Sequence, residues 1–185
     1  MIRILAAFML LAMPAQAQDC FSGQPRQVRY DDGRMITIIQ RHGDDLTYTT
    51  PYEGNQDTVQ KTHLMLFPKQ ARFGARSSEN RWTSRLPRLG DMTPGYAFDI
   101  KGTMKSGEGE ALPYRIEGEV LREEAVMVGD CSYDSLVISQ NTYLKGEVVL
   151  RATLYLNADM VVLLKSQVEQ VLSGKVTSFT AVGLQ

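Results

Sequence analysis

The stretch from Cys131 to Gly183 constrains the fold most, because it is a succession of β-prone segments separated by short polar turns. β-Branched and aromatic residues fill the segments, and Gly, Asn and Asp stand between them, as in antiparallel strands joined by hairpins. The pattern predicts four strands, at residues 133–140, 146–156, 160–169 and 176–182. No catalytic motif lies in this stretch.

One of these segments fits two structures. Residues 160–172 also match a helix, with Asp159 as its N-cap, apolar residues on one side and Gly174 past its end. The consecutive Val161 and Val162, and the strand before them, favour a β-strand.

The N-terminal half adds further strands. Asp32-Gly33 stands between two β-prone runs, which indicates a hairpin. Alternation of apolar and polar residues at 96–104 and 114–120 is typical of antiparallel strands with one buried face. We therefore predict an all-β fold: a single antiparallel meander sheet, curled or forming an incomplete barrel, with about ten strands.

Residues 69–95 interrupt this pattern. They show no period of two or 3.6 residues, so we predict one long irregular loop. Arg and Trp are enriched at binding hot spots, and this loop could hold an anionic group or a protein partner. Alternatively, the tryptophan packs in the core and the arginines are solvated. The candidate binding residues are Arg76, Arg81, Trp82, Arg85 and Arg88.

The N-terminus has the features of a secretory signal peptide. Arg3 precedes a ten-residue apolar run, and Pro14 and an Ala-x-Ala site ending at Ala17 follow it. We expect cleavage near Ala17, a single all-β domain over residues 18–185, and a location in the periplasm or outside the cell. No later segment is long enough to span a membrane as a helix, so we expect no transmembrane segment in the mature chain.

The two cysteines, Cys20 and Cys131, would then reach an oxidising compartment, where we expect a disulfide between them. A thiol metal site or a redox pair is the alternative, but no Cys-x-x-Cys or neighbouring His/Cys spacing supports either. Without the signal peptide, 19 basic and 21 acidic residues give a net charge of −2. This balance argues against nucleic acid as a partner.

Catalytic and metal-binding motifs are not found. The sequence lacks G-x-S-x-G, H-E-x-x-H, S-x-x-K and a complete phosphate-binding loop. His42 falls in a predicted turn, and His63 falls on a predicted strand, where a half-buried sheet histidine is more common than a ligand or base. We therefore expect no enzyme activity, no cofactor and no metal.

Two segments carry a family resemblance: residues 154–165 (LYLNADMVVLLK) and residues 131–134 (CSYD). Together they resemble a family of uncharacterised bacterial periplasmic all-β proteins, distantly similar to the LolA and LolB lipoprotein carriers. The resemblance covers mainly the last fifty residues. It implies a sheet curled around an apolar cavity that could hold an acyl chain, and it assigns no ligand residue.

Two functions remain as expectations. The first is a non-catalytic binding or carrier module for an apolar or lipid-like ligand, suggested by the apolar strands and by the fold resemblance. The alternative is an interaction or scaffold protein of the bacterial envelope that binds a protein partner through the loop containing the arginines and Trp82.

Overall fold

The computed structural model describes residues 20–52 and 56–185, and the predicted signal peptide lies outside this part of the chain. Twelve β-strands and one short 3₁₀ helix (Leu89–Asp91) account for most of it. The strands are β1 (Gln27–Tyr30), β2 (Met35–His42), β3 (Asp45–Tyr52), β4 (Gln56–His63), β5 (Phe67–Phe73), β6 (Arg76–Trp82), β7 (Ala97–Ser106), β8 (Leu112–Val128), β9 (Cys131–Leu144), β10 (Glu147–Asn157), β11 (Val162–Gln170) and β12 (Lys175–Leu184). Within the described ranges, no helix is long and apolar enough to cross a membrane.

Each strand pairs antiparallel with the next, and the first strand also pairs with the last, so the sheet forms a closed barrel. At the closure, Val28 of β1 lies opposite Leu184 of β12. Next to this pair, the backbone N–H of Gln27 donates to the carbonyl of Gln185 at 2.9 Å, and the N–H of Gln185 donates back at 3.0 Å. The all-β antiparallel prediction is confirmed.

The prediction of an incomplete sheet of about ten strands is wrong, because the barrel is closed and has twelve strands. The two missed strands are β5, all but its first two residues, and β6; they fall in the predicted irregular loop, residues 69–95. Four of the seven residues of β6 are exposed and none is fully buried, so this strand has no alternating apolar signal. The irregular connection after it is restricted to residues 83–96.

The ambiguous C-terminal segment is a strand. Residues Val162–Gln170 form β11, which pairs with β10 on one side and β12 on the other. The helical alternative is therefore wrong. The hairpin predicted at Asp32-Gly33 is confirmed: Gly33 has a φ of +83°, which glycine adopts readily, and the turn joins β1 to β2.

The two ends of the barrel differ. Five of the described hairpin turns lie at the end that we call the upper end, beginning with the β1–β2 turn. At the opposite, lower end lie the other five connections, the segment 20–26 and the end of β12. The longest connection, residues 83–96, covers the lower end: Met92 is buried, and the N–H of Gly95 donates to the carbonyl of Val120 at 2.7 Å.

An aromatic cluster fills the lower half of the barrel. The ring of the fully buried Phe67 lies 5.3 Å from the ring of Phe98 and 6.2 Å from that of Trp82, both in edge-on geometry. Trp82 in turn lies 5.4 Å from Tyr114. Full burial of a side chain such as Phe67 stabilises a protein by roughly 1.5–3 kcal/mol.

A disulfide joins Cys20 to Cys131, as predicted, with a Cα–Cα distance of 5.5 Å. It fixes the segment before β1 to the start of β9. Two hydrogen bonds support the same segment: the Tyr133 hydroxyl donates to the carbonyl of Phe21 at 3.2 Å, and the Gln24 amide donates to the carbonyl of Asp159 at 2.7 Å. A disulfide is typical of proteins in oxidising compartments and therefore indicates an exported protein.

At Gly118 of β8, atoms of Ser139 and Phe98 lie close to the backbone. A methyl group there would lie 2.4 Å from the carbonyl oxygen of Ser139 and 2.6 Å from Cζ of Phe98. Both distances are far below van der Waals contact. The absence of a side chain at Gly118 thus allows the Phe98 ring to lie over β8.

Removal of the disulfide should destabilise the barrel. The cysteines are 111 residues apart, and for a loop of this size the chain-entropy model gives a stabilisation of up to about 5 kcal/mol. We expect a Cys20→Ser/Cys131→Ser variant to show this loss in urea unfolding. Reduction of the unsubstituted protein should produce the same loss and should not affect the variant; unchanged stability in both would contradict the prediction.

Gly118→Ala should also destabilise the protein, by roughly 1–3 kcal/mol, because the new methyl group requires movement of β9 and Phe98. Gly90→Ala is the matched control, since a methyl group at Gly90 would meet no atom within 4 Å. Chemical denaturation of both variants tests the difference, and equal stabilities would refute the close approach at Gly118.

Candidate functional site

The five residues predicted to form a binding loop do not lie on one loop. Arg76, Arg81 and Trp82 belong to β6, whereas Arg85 and Arg88 belong to the connection that follows. The Trp82 side chain points into the aromatic cluster, and its indole N–H donates to the carbonyl of Pro68 at 3.1 Å. The four arginines are exposed. The alternative prediction, a packed tryptophan with solvated arginines, is correct for the geometry, and a binding role for the arginines stays a prediction.

On β10 and β11, the inward-facing side chains become more exposed towards the upper end. The register places the inward-facing residues of β10 and β11 in opposite pairs, such as Leu154 with Ser166 and Ala152 with Val168. Along both strands, burial decreases towards the upper end. Leu156 and Leu164 are completely buried, whereas Leu150 and Val168 are only half-buried.

The same gradient continues on β12, where Ala181 is buried, Phe179 is half-buried and Thr177 is exposed. The Phe179 ring packs edge-on against buried Tyr30 at 4.6 Å, and the Arg34 guanidinium lies 4.5 Å from the Phe179 ring centre on the side of the β1–β2 turn. At the upper rim, Phe73 is 40% exposed and Leu172 is 91% exposed. Apolar surface is thus accessible at the upper end.

Buried tyrosines add polar groups to this interior. The Tyr48 hydroxyl donates to Oε1 of Gln60 at 3.0 Å, and the Tyr30 hydroxyl donates to the carbonyl of Leu163 at 2.9 Å. Burial raises the pKa of Tyr48 and of Tyr114 to about 12 and raises the pKa of Tyr30 further. All three hydroxyls are therefore neutral hydrogen-bonding groups at physiological pH.

Four more side-chain polar atoms are buried and form no hydrogen bond with any described residue; one is Oδ1 of the half-buried Asn80, and three belong to buried residues of the barrel. These three are Oγ1 of Thr62, Oε1 of Gln140 and Oγ of Ser166. Each side chain is more than nine-tenths buried. An unpaired buried polar atom costs about 1–3 kcal/mol, so these atoms are available to a polar group inside the barrel.

A charged network lies at the lower end, where β3, β4 and β5 meet the connection 83–96. His63 Nδ1 lies 2.7 Å from Oδ1 of Asp45, and its Nε2 lies 2.7 Å from the carbonyl oxygen of Pro87. Lys69 donates to Oδ2 of Asp45 at 2.6 Å. Partial burial opposes ionisation of Asp45, but the hydrogen bonds from Lys69 and His63 outweigh it and lower the pKa of this carboxyl group.

Two depressions adjoin this network on the outer face of the barrel. The larger has a volume of about 570 Å³ and is lined by residues of β4–β6 and of the connection after β6. The smaller has a volume of about 280 Å³ and is lined by residues of β2–β5. Both are bordered by Lys61 and Lys69. We call this pair of depressions the lysine groove.

The outer face of β7–β9 carries a second charged network, in which every charged group has a partner. Arg115 Nε donates to Oδ1 of Asp99 at 2.6 Å, Arg115 also pairs with Glu117, and the Tyr143 hydroxyl donates to Glu117. These contacts lower the pKa of Asp99 and raise that of Tyr143. Since each charge has an opposite partner, this network is electrostatically satisfied.

Within residues 20–52 and 56–185, no group of three or more His, Cys, Asp or Glu side chains is placed to hold a metal ion.

Comparison with known proteins identifies the fold alone. No family model matches the sequence, and no curated protein matches it. A solved structure does match. It is the hypothetical lipoprotein YmcC from Escherichia coli K12, with a TM-score of 0.52 over 88% of this chain and 89% of that chain. The chain shares an all-β barrel fold with YmcC.

Only 8% of the residues are identical between the two chains, so the similarity says nothing about the lysine groove or the barrel interior. The shared all-β fold is consistent with the distant all-β relationship expected from the sequence. The narrower similarity to LolA and LolB stays a prediction.

The Asp45 network should stabilise the protein in a pH-dependent way. Because the pKa of Asp45 is lowered on folding, its contribution is present above its ordinary value of about 4 and is lost as the pH falls through the lower folded value. Asp45→Asn should therefore lower the melting temperature at pH 7 and have a smaller effect at about pH 2.5.

Asp130→Asn, at an exposed position in the β8–β9 turn, is the control. It should leave the melting temperature unchanged at both pH values. Thermal unfolding at both pH values provides the measurement. A loss for Asp45→Asn that is equal at both would show that the carboxylate charge is not what stabilises this region.

Proposed function

We propose that this chain is a non-catalytic binding or carrier protein of the bacterial periplasm that takes an apolar or lipid-like ligand at the upper end of the barrel. One observation carries the proposal: on three neighbouring strands, inward-facing apolar side chains are fully buried towards the lower end and half-buried towards the upper end. This gradient recurs on β10, β11 and β12. Binding sites for small apolar molecules are concave and mostly apolar, with a few polar groups.

The polar atoms of the interior support an amphiphilic ligand. Gln140, opposite Ala152, and Ser166, opposite Leu154, supply an amide and a hydroxyl oxygen without partners in the described chain. A ligand with an acyl chain and hydrogen-bonding groups would match both kinds of surface. The similarity in fold to a hypothetical lipoprotein and the disulfide agree with an exported binding protein.

A second candidate function is an interaction protein of the envelope. The observation in its favour is the exposure of Arg76, Arg81, Arg85 and Arg88 near one another in the chain. Only Arg81 among these four forms an ion pair within the described ranges, with Glu79 at 3.1 Å. Trp82 belongs to the core, so a partner would be held by the arginines.

Titration with a fluorescent long-chain fatty acid tests the first function. We expect saturable binding by the mature protein. Leu150→Glu and Val168→Glu should weaken it about tenfold or more, because each places a carboxylate at the upper interior and removes about 1.4 kcal/mol or more of apolar contact.

Val182→Glu is the matched control. Val182 is 41% exposed and is next to the buried Ala181 on β12, so it faces outwards. This substitution should leave the affinity unchanged, and melting temperatures should confirm that all three variants fold. Failure to bind, or equal affinities in all variants, would argue against ligand binding inside the barrel.

A further inference from the structure

We infer that the lysine groove binds a phosphate group, carried either by a small phosphorylated molecule or by a lipid headgroup. This inference concerns the outer face of β4–β6 and does not depend on ligand binding inside the barrel. It rests on the convergence of two lysines, on the charge of their surroundings and on the neutral groups beside them.

The convergence follows from the register of β4 and β5. Lys61 lies opposite Gln70, and the next pair is Thr62 with Pro68, so Lys69 is an extra residue on β5. Such a β-bulge redirects a side chain and is common beside functional sites. It brings Lys69 to the same groove as Lys61 and Gln70, whereas Thr62 faces the core.

Lys69 is held in place from the other side. Its ammonium group donates to Asp45 at 2.6 Å, and Asp45 is itself fixed by His63, whose second ring nitrogen contacts the Pro87 carbonyl. Lys61 is exposed and forms no ion pair with any residue of the described ranges. The groove therefore has one positioned cation and one cation free to turn towards a ligand.

The surroundings add to the positive charge. Residues 56–96 contain seven Lys and Arg residues and three acidic ones. Two carboxylates line the groove, and each is paired. Glu79 accepts a hydrogen bond from Arg81 at 3.1 Å, and Asp45 accepts one from Lys69 at 2.6 Å. The excess of positive charge therefore belongs to the segment around the groove, and a positive field of this kind raises the local concentration of anions.

Neutral groups complete the site. Gln70 offers an exposed side-chain amide. The Ser84 oxygen accepts from the backbone N–H of Lys101 at 3.0 Å, which leaves its proton free to be donated. Trp82 and Leu86 form an apolar border that could contact the rest of a phosphorylated molecule.

A phosphate group suits this arrangement better than a carboxylate does. A phosphate monoester carries a charge of about −1.5 to −2 at pH 7 and has three strong acceptor oxygens. Two lysines approaching from neighbouring strands can each bind a different oxygen, and lysine is a common phosphate ligand. A carboxylate has a single charge and two oxygens, so it offers fewer acceptor positions to the two ammonium groups and to the neutral donors beside them.

Isothermal titration with inorganic phosphate tests the site. We expect saturable binding that Lys61→Ala weakens about tenfold, the loss typical of one charge-assisted hydrogen bond, and that Lys61→Arg largely restores. Lys175→Ala is the matched control, since Lys175 is an exposed lysine on β12, away from the groove. It should bind phosphate with the affinity of the unsubstituted protein.

Sedimentation with vesicles distinguishes the two sources of phosphate. Vesicles of phosphatidylcholine with phosphatidic acid present phosphate monoesters, and vesicles of phosphatidylcholine alone do not. Binding to the first kind that requires Lys61 would identify a lipid headgroup, and Lys61-dependent binding of free phosphate alone would identify a small phosphorylated molecule. No saturable binding in either experiment, or binding that Lys61→Ala leaves unchanged, would overturn the inference.

Discussion

The hydrogen bonds between β1 and β12 determine the form of the molecule, because they close the sheet. A twelve-stranded open sheet would leave two edges with unpaired backbone groups, which promote aggregation. Here a first strand of only four residues pairs with the last strand and removes both edges. The disulfide supports this closure, since it holds the segment immediately before β1 against the start of β9.

Closure also explains the division of the interior. A barrel of twelve strands encloses more space than the eight-stranded barrels that side chains can just fill. In the lower half, aromatic side chains such as Phe67 and Phe98 and the connection 83–96 occupy that space. Higher up on β10 and β11, inward-facing residues such as Ala152 and Val168 are only half-buried.

The fold class could be predicted from local sequence, but the closure and two strands could not. Alternation at 96–104 and the Asp32-Gly33 turn report local structure, and both lie where they were predicted. β6 has a polar, exposed pattern because few of its residues reach the core, so its sequence resembles a loop. Pairing of Val28 with Leu184 joins residues from opposite ends of the chain, and no local pattern encodes it.

The candidate sites were predictable to a lesser degree. Trp82 was singled out for its residue type, yet its burial depends on Phe67 and Tyr114, which are distant in sequence. Lys61 and Lys69 were missed because their approach depends on a register shift between β4 and β5. The excess of basic residues around them was visible in the sequence and was the available signal for this surface.

The disulfide also divides the backbone into two parts with different fates on proteolysis. Residues 20–131 form a covalent ring that contains β1 to β8. A single cut in an exposed turn of this ring, such as residues 107–110 between β7 and β8, would leave both fragments joined through sulfur. A cut at Lys145-Gly146, between β9 and β10, would free a C-terminal fragment that only hydrogen bonds and packing retain.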